Sequence, residues 1–469
     1  MTTAGATFSR RNFLVGGGLA LGAVAMGCSD TRAEGLAGLR SAVRGRVLLS
    51  GDPGFDAARA PWNLAVDQSV RAVVDVADID DAAALIRFAR DVGVPIAVQP
   101  NGHGASNAMD GTILVRTAAL NFTQVNTAAG TARVGPGVSW ADVQALASPA
   151  GLTGVAGSAP IVGVTGYMLG GGLGWFSRKY GWAAESVTAF EAITAEGDRL
   201  TATATTESDL FWALRGGGGD YAFVTSVEFT LAPAPSVYGG TMTWPAGRAA
   251  AVISAFRDVT AAAPDELTAW CSVVRFPGAP ALVRLDTTYL GKAEAAAALL
   301  QPFDRIDGKL SDTRRLLPVS ELGKITDEPT KPAPSRQQAT LVNGLTDQFV
   351  DALLTQSIEP LITVQIRHLG GALQRSPDTP SGRVTAPYLV SFLGMQPDPG
   401  SEAALVARTN AFLDTLAAVN TAKVPFNFLT PEQNVADVFD AGTLARLRAV
   451  KRDRDPDGVF RSNHPVAQE

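Results

Sequence analysis

SAPIVGVTGYMLGGGLGWFSRKYGW, residues Ser158 to Trp182, holds seven glycines and decides how the rest of the chain is read. Glycine costs backbone entropy and offers nothing to pack, so a cluster of it marks main chain pressed closely against another group. A second such place lies upstream, VQPNGHGASNAMDG from Val98 to Gly111, with a histidine at its centre. Two glycine-lined loops, one bearing an imidazole, imply a large, flat ligand with polar edges. As a dinucleotide fingerprint the first stretch fails, because it lacks G-x-G-x-x-G and no βαβ unit with a spaced acidic residue follows. A Walker loop is also missing from the sequence, since Gly323-Lys324 runs into Ile325.

Outward from these loops, Val70 to Val98 read as strand, helix, strand: RAVVDVA, then DIDDAAALIRFARDVG, then VPIAVQ. Asp78 or Asp80 is the expected N-cap, Ala83, Leu85, Ile86 and Ala89 fall at helical spacing, and Gly93 supplies the stop. Strand-like GTILVRTAAL and NFTQVNTAAGTARVGPG and a short helix in SWADVQALASPAG follow. Beyond the glycine-rich stretch, AFEAITAEGDRLTATATTE predicts a hairpin turning at Glu196-Gly197-Asp198. Next come a helix starting at Ser208 or Asp209, its stop at Gly216 to Gly219, and a long strand ending near Pro233 to Pro235. From about Tyr238 to Asn420, strands such as LTAWCSVVRF, ALVRLDTTYL, ITVQIRHLG and APYLVSFLGM alternate with alanine-rich helices, the pattern of a sheet backed by helices. The expected class is α+β.

A chain of 469 residues, 46% apolar and 18% charged, is long enough for two domains with substantial cores. Its net charge of −6, with basic residues scattered, gives a nucleic acid no footprint, so a small-molecule partner is expected. Residues 1–35 read as an export signal of the twin-arginine type: Arg10-Arg11 precede a short apolar run from Leu14 to Met26 that is too short to span a membrane. The expected location is extracellular or in the cell envelope, reached through the twin-arginine machinery. Cys28 sits where a lipid-modified cysteine would sit, so lipid anchoring at Cys28 and simple cleavage near Ala33 are both open. Cys271 is the other cysteine, which leaves the exported chain without a disulfide.

NGHGASN at 101–107, VGPG at 134–137, VGVTGYMLGGGLGWFSRKYG at 162–181, WALRGGGG at 212–219 and DPDGVFRSNH at 455–464 occur in a telling order. With these five motifs the chain resembles the FAD-linked oxidases of the berberine bridge enzyme type, which carry a PCMH-type FAD-binding domain and belong to the vanillyl-alcohol oxidase superfamily. The resemblance implies a two-part FAD-binding domain, 36–235 with a C-terminal return at 421–469. Between them, at 236–420, a substrate-binding domain on an antiparallel sheet backed by helices is implied.

By the same resemblance His103 bonds covalently to the 8α carbon of FAD, and Asn101, Gly102, Gly104, Ala105, Ser106 and Asn107 complete the cofactor loop. A neutral imidazole between two glycines is a competent nucleophile; the competing reading is a histidine satisfied by loop hydrogen bonds. Many relatives add a cysteinyl link two residues after the position of Gly157, but Ala159 stands there, so a single histidyl link is expected. Gly163, Gly166, Gly170, Gly171, Gly172 and Gly174 would turn main-chain N–H groups toward the pyrophosphate and ring edge. Pro136, Gly137, Gly157, Ser158, Tyr180, Ile193 and Asn463 are the other implied cofactor contacts. Val162 falls where the family places a residue over the flavin edge, and a small side chain there is the oxygen-admitting form; the alternative is a strand-core valine.

The implied activity is hydride transfer from a small-molecule alcohol, amine or sugar to FAD, with O2 regenerating the flavin and giving H2O2. A flavin-dependent oxidative cyclase or oxygenase, or a redox relay without its own substrate, are the alternatives. Many members carry a catalytic tyrosine in a Y-x-N-[YF] motif, but this chain reads Pro425-Phe426-Asn427-Phe428. His368 and Tyr388, on predicted strands of the inserted sheet, are the expected replacements if that sheet roofs the site, with Arg367 to steady an anionic group. A core-packed His368 is the other reading. Tyr167 and Asn427 are the remaining catalytic candidates, and no metal site is expected.

Overall fold

The computed structural model describes residues 35–467, and the α+β class read from the pattern holds. The predicted signal, with Arg10, Arg11 and Cys28, lies outside the described residues. The helix Ile79–Asp91 starts where Asp78 accepts a hydrogen bond from the Asp81 N–H at 2.9 Å and ends before Gly93, whose φ of 65° breaks the helical path. The strands it joins, Ala72–Asp75 and Ile96–Val98, are both parallel to Ile113–Arg116, which lies between them. Arg46–Leu49 completes this four-stranded sheet antiparallel to Ala72–Asp75.

A second, five-stranded antiparallel sheet runs in the order Thr123–Asn126, Thr131–Val134, Phe223–Thr230, Val187–Ile193, Arg199–Ala202. The predicted hairpin at 196–198 forms its far edge, with Gly197 at φ 85°. The glycine-rich stretch stays out of both sheets, as loops around two short helices, Val164–Leu169 and Ser177–Tyr180.

The third sheet is antiparallel and eight-stranded, with Leu282–Leu290, Leu267–Val274, Thr363–His368 and Tyr388–Met395 adjacent at its centre. Side chains alternate across a pleated strand, so each strand serves two different layers. Ala269, Cys271, Val364, Ile366, Val390 and Phe392 pack under the helices Ala249–Ala261, Asp347–Thr355 and Glu402–Thr415. Trp270 and Leu389, one position out of phase, belong to the opposite face and its separate apolar clusters. Cys271 is buried and free, and burial pushes its thiol up to about 12. The chain then returns to the first sheet, where the Ile96 N–H donates to the Val459 carbonyl at 2.7 Å and the Arg461 N–H to the Ile96 carbonyl at 2.9 Å.

Candidate functional site

The strand Ile96–Val98 leads straight into the loop that carries His103. Gly102 turns it with φ 77°, and a Cβ there would come within 2.8 Å of Pro61. Trp62, which sequence reasoning missed, stacks on the imidazole with ring centroids 4.6 Å apart and planes 9° from parallel. His103 Nδ1 lies 3.2 Å from Asn101 Oδ1, while Asn101 Nδ2 donates to the Ile161 carbonyl at 3.2 Å. That second bond sets which end of the amide faces the ring, so Nδ1 carries the proton and the Nε2 lone pair has no partner among the described residues. Burial holds the His103 pKa down to about 4, so the ring is neutral at pH 7. The N–H groups of Gly102, His103, Gly104 and Ala105 have no partner among the described residues, and a Cβ on Gly104 would meet nothing within 4 Å. Consecutive open donors beside open space make a cradle for anionic oxygens.

A buried amide cluster holds this loop in place. Asn463 Oδ1 accepts from the Ser106 N–H at 2.9 Å and from Gln68 Nε2 at 3.2 Å, and Asn463 Nδ2 donates to Gln99 Oε1 at 3.1 Å. Gln99 Nε2 donates to Gln68 Oε1 at 2.9 Å, and Gln68 Nε2 to the Ser106 carbonyl at 2.8 Å. The predicted contacts Ser106 and Asn463 thus work as a latch on the His103 loop. Gln68 and Gln99 were missed, although a glutamine closing the apolar strand VPIAVQ was a readable signal.

The glycine-rich block behaves differently from its sequence reading. The N–H groups of Gly170, Gly171, Gly172 and Gly174 already donate to the Gly166 carbonyl, the Met168 carbonyl, Asn427 Oδ1 and Ser177 Oγ. They are therefore not available to a pyrophosphate, which is a correction. A Cβ at these four positions would overlap Asn427, Ser381, Tyr167 and the Ala156 carbonyl, so internal packing is what requires glycine there. Gly163 and Gly166 keep the expected openness: a Cβ on Gly166 meets nothing within 4 Å and one on Gly163 only the Val138 carbonyl at 3.8 Å. Gly157 is also open, with Tyr167 at 3.5 Å, and Ser158 beside it is buried. Asn107 donates outward to the Asp67 carbonyl, and the Gly137 N–H is taken by the Leu120 carbonyl while the Pro136 carbonyl accepts from Thr117 Oγ1, so these three are engaged in turns of the fold.

Among the catalytic candidates, Tyr167 lies beside the open glycine Gly157 and two others pack toward the helical layer. The Tyr167 hydroxyl is buried without a partner beside Gly157 and Gly174, and burial pushes its pKa far up, so it stays protonated as a donor. Tyr388 shares the phase of Val390 and packs against Phe256 under the helices, its hydroxyl 2.8 Å from Thr260 Oγ1. His368 lies opposite Tyr388 in register and in the phase of Ile366, with its pKa held down to about 3, first by burial and then by Arg178. The expectation that these two look onto a cofactor is thus corrected: pleat alternation sends both into the helical layer, and His368 is the core-packed residue of the competing reading. Arg367, one position out of phase with His368, lies on the opposite face of that strand beside Trp270. Asn427 uses both ends of its amide on the glycine block, accepting from the Gly172 N–H at 2.8 Å and donating to the Tyr167 carbonyl at 3.2 Å, so it positions main chain. Tyr180 donates to the Pro233 carbonyl at 2.5 Å and packs near Trp175 and Phe176. Ile193 ends its strand fully buried, and Val162 is half-buried in the loop before the helix Val164–Leu169 rather than in a strand.

Comparison with known proteins agrees with this geometry. A family model described as an FAD binding domain matches residues 70–203. The (R)-6-hydroxynicotine oxidase of Paenarthrobacter nicotinovorans is 26% identical over 450 residues, covering 91% of this chain and 97% of that protein. An FAD-dependent monooxygenase of Cochliobolus heterostrophus is 28% identical over 433 residues, covering 83% of this chain and 82% of that protein. Among solved structures, a BBE-like protein of Physcomitrella patens superposes with a TM-score of 0.80 at 21% identity, covering 93% of this chain and all of that one.

Proposed function

We propose that the chain is an FAD-dependent oxidoreductase of the berberine bridge enzyme-like type, an oxidase that holds FAD covalently through His103, a reading supported by the FAD-binding family match and the full-length similarity to (R)-6-hydroxynicotine oxidase. The described residues fit that cofactor: four open N–H donors at 102–105 suit its pyrophosphate, and the buried Tyr167 hydroxyl, unpartnered among the described residues, lies beside the open glycine Gly157. When bound, FAD accepts a hydride from a small-molecule alcohol, amine or sugar and passes the electrons to O2, giving H2O2. The observation that carries the reading is the state of His103: neutral, clamped by Trp62 and Asn101, with the Nε2 lone pair unpartnered among the described residues. Val162 supports the oxidase assignment, since its short side chain leaves room for O2. Ala159 in place of a cysteine supports a single link.

The test is the mass of the denatured full chain from flavin-replete cells. An added FAD mass in the wild type that disappears in His103→Ala is expected; an unmodified wild type refutes the link, whatever the activity. Turnover in air should release one H2O2 per substrate oxidised. A cyclase or oxygenase is the second reading, supported by the relative named as a monooxygenase and by Pro425 in place of the usual tyrosine. Incorporation of ¹⁸O from O2 into product without peroxide release would favour it. We further propose export by the twin-arginine route, resting on Arg10-Arg11 and the apolar run after them, with membrane anchoring if Cys28 is acylated. Cell fractionation of an Arg10→Lys, Arg11→Lys variant, expected to stay in the cytoplasm, tests it.

A further inference from the structure

We propose that the site selects substrates bearing a carboxylate, and that Arg367 is the residue that grips it. The inference rests on the FAD-oxidoreductase reading of the same site. Arg367 projects from the strand Thr363–His368 on the face opposite the helices, beside Trp270 of the neighbouring strand. Its Cζ lies 4.1 Å from the Trp270 ring centroid and 5.1 Å from that of Phe428. Stacking engages the faces of a guanidinium and leaves its donors, which lie in the plane, at the edge. Nε donates to Gln365 Oε1 at 2.6 Å, and neither Nη has a hydrogen-bond or ion-pair partner among the described residues.

Two other arginines that burial desolvates have their donors placed on carbonyls. Arg116 donates to the carbonyls of Ala58, Ala60 and Gln99, and Arg178 to those of Leu267, Leu369 and Ala263. Arg367 is desolvated enough for burial to pull its pKa down, yet the side chain keeps some accessible surface. With Trp270 and Phe428 against the guanidinium, its accessible part is the edge that carries the Nη donors. The charged and titratable groups that act on it are Glu328, Tyr167 and Asp286. Asp286 is already held by Arg284 at 2.7 Å and Thr241 at 2.6 Å, and Glu328 is exposed. The site therefore offers a fixed cation with a planar pair of donors. A carboxylate is acceptor-only and matches that set, whereas a neutral sugar or amide leaves the buried charge uncompensated.

Calorimetric titration of the FAD-loaded full chain with acetate, benzoate and indole-3-acetate, each against its primary amide at pH 7, tests this. At least one acid should bind about ten- to hundred-fold more tightly than its amide, the range of a charge-assisted bidentate contact. The preference should vanish in Arg367→Met with the flavin spectrum retained; if that variant does not load flavin, Arg367→Gln serves the same purpose. Equal binding within every pair, or a preference that survives the loss of Arg367, overturns the proposal. So does a shifted flavin reduction potential in ligand-free Arg367→Met without acid preference in the wild type, which assigns Arg367 to the cofactor. A wild type that carries no flavin refutes the premise itself, an outcome distinct from flavin-loaded protein that ignores carboxylates.

Discussion

Replacing Asn463 with alanine should unlatch the His103 loop from a position 360 residues away in sequence. The side chain makes three hydrogen bonds, to the Ser106 N–H, Gln68 and Gln99. Gln68 and Gln99 still have each other, and Gln68 still has the Ser106 carbonyl, so their loss is partial. The Ser106 N–H has no other partner and lies in a residue only 3% exposed, so it becomes an orphaned buried donor. An orphan of that kind costs about 1–3 kcal/mol, and two weakened neutral bonds raise the total to about 2–4 kcal/mol. Urea unfolding of the full chain should show that loss, and intact mass after expression should show a smaller fraction of covalently flavinylated protein than in the wild type. Stability within about 0.5 kcal/mol of wild type, together with complete flavinylation, would refute the idea that this amide cluster holds the loop.

Other outcomes test the corrections directly. Tyr388→Phe removes only the bond to Thr260, so it should lose about 1 kcal/mol of stability and leave turnover unchanged; a large fall in kcat would return Tyr388 to the site. Gly174→Ala drives a Cβ into the Ala156 carbonyl and should be destabilised by about 3 kcal/mol or not fold, whereas Gly104→Ala should fold normally and load FAD poorly, as judged by thermal melts and flavin absorbance. His368 and His464 are held to about 3 and about 4 by burial, below the unfolded value near 6.5. The unfolded chain then takes up protons that the folded one refuses, so stability is full above about pH 6.5 and falls through the window down to about pH 4 by up to about 1.4 kcal/mol per pH unit for each histidine. Urea midpoints across that range should fall less steeply in His464→Asn, with His103 and His368 still contributing, and an unchanged slope would mean that His464 is not buried neutral.

The local elements and the shape of the His103 loop were legible because they depend on neighbours in sequence. Asp78 caps its helix through a residue three positions on, Gly93 ends it, and His103 lies between glycines whose freedom sets its loop. The class of the third sheet followed from period-2 patterning, which reports burial without saying under what. A shift of one position separates Arg367 from His368: the alternation of Thr363, Gln365 and Arg367 with Val364, Ile366 and His368 already put the histidine in the apolar phase, but which phase meets the helical layer was decided only when the strands paired. The role of the glycine block was likewise out of reach, because whether a missing side chain makes room for a ligand or for Tyr167, Ser381 and Asn427 depends on partners brought in from up to 255 residues away. The sequence by itself therefore determined the kind of chemistry the chain can host, through short-range signals carried by residue type. Tertiary structure alone decided which donors remain free for that chemistry, because a hydrogen bond made inside the fold is unavailable to anything else.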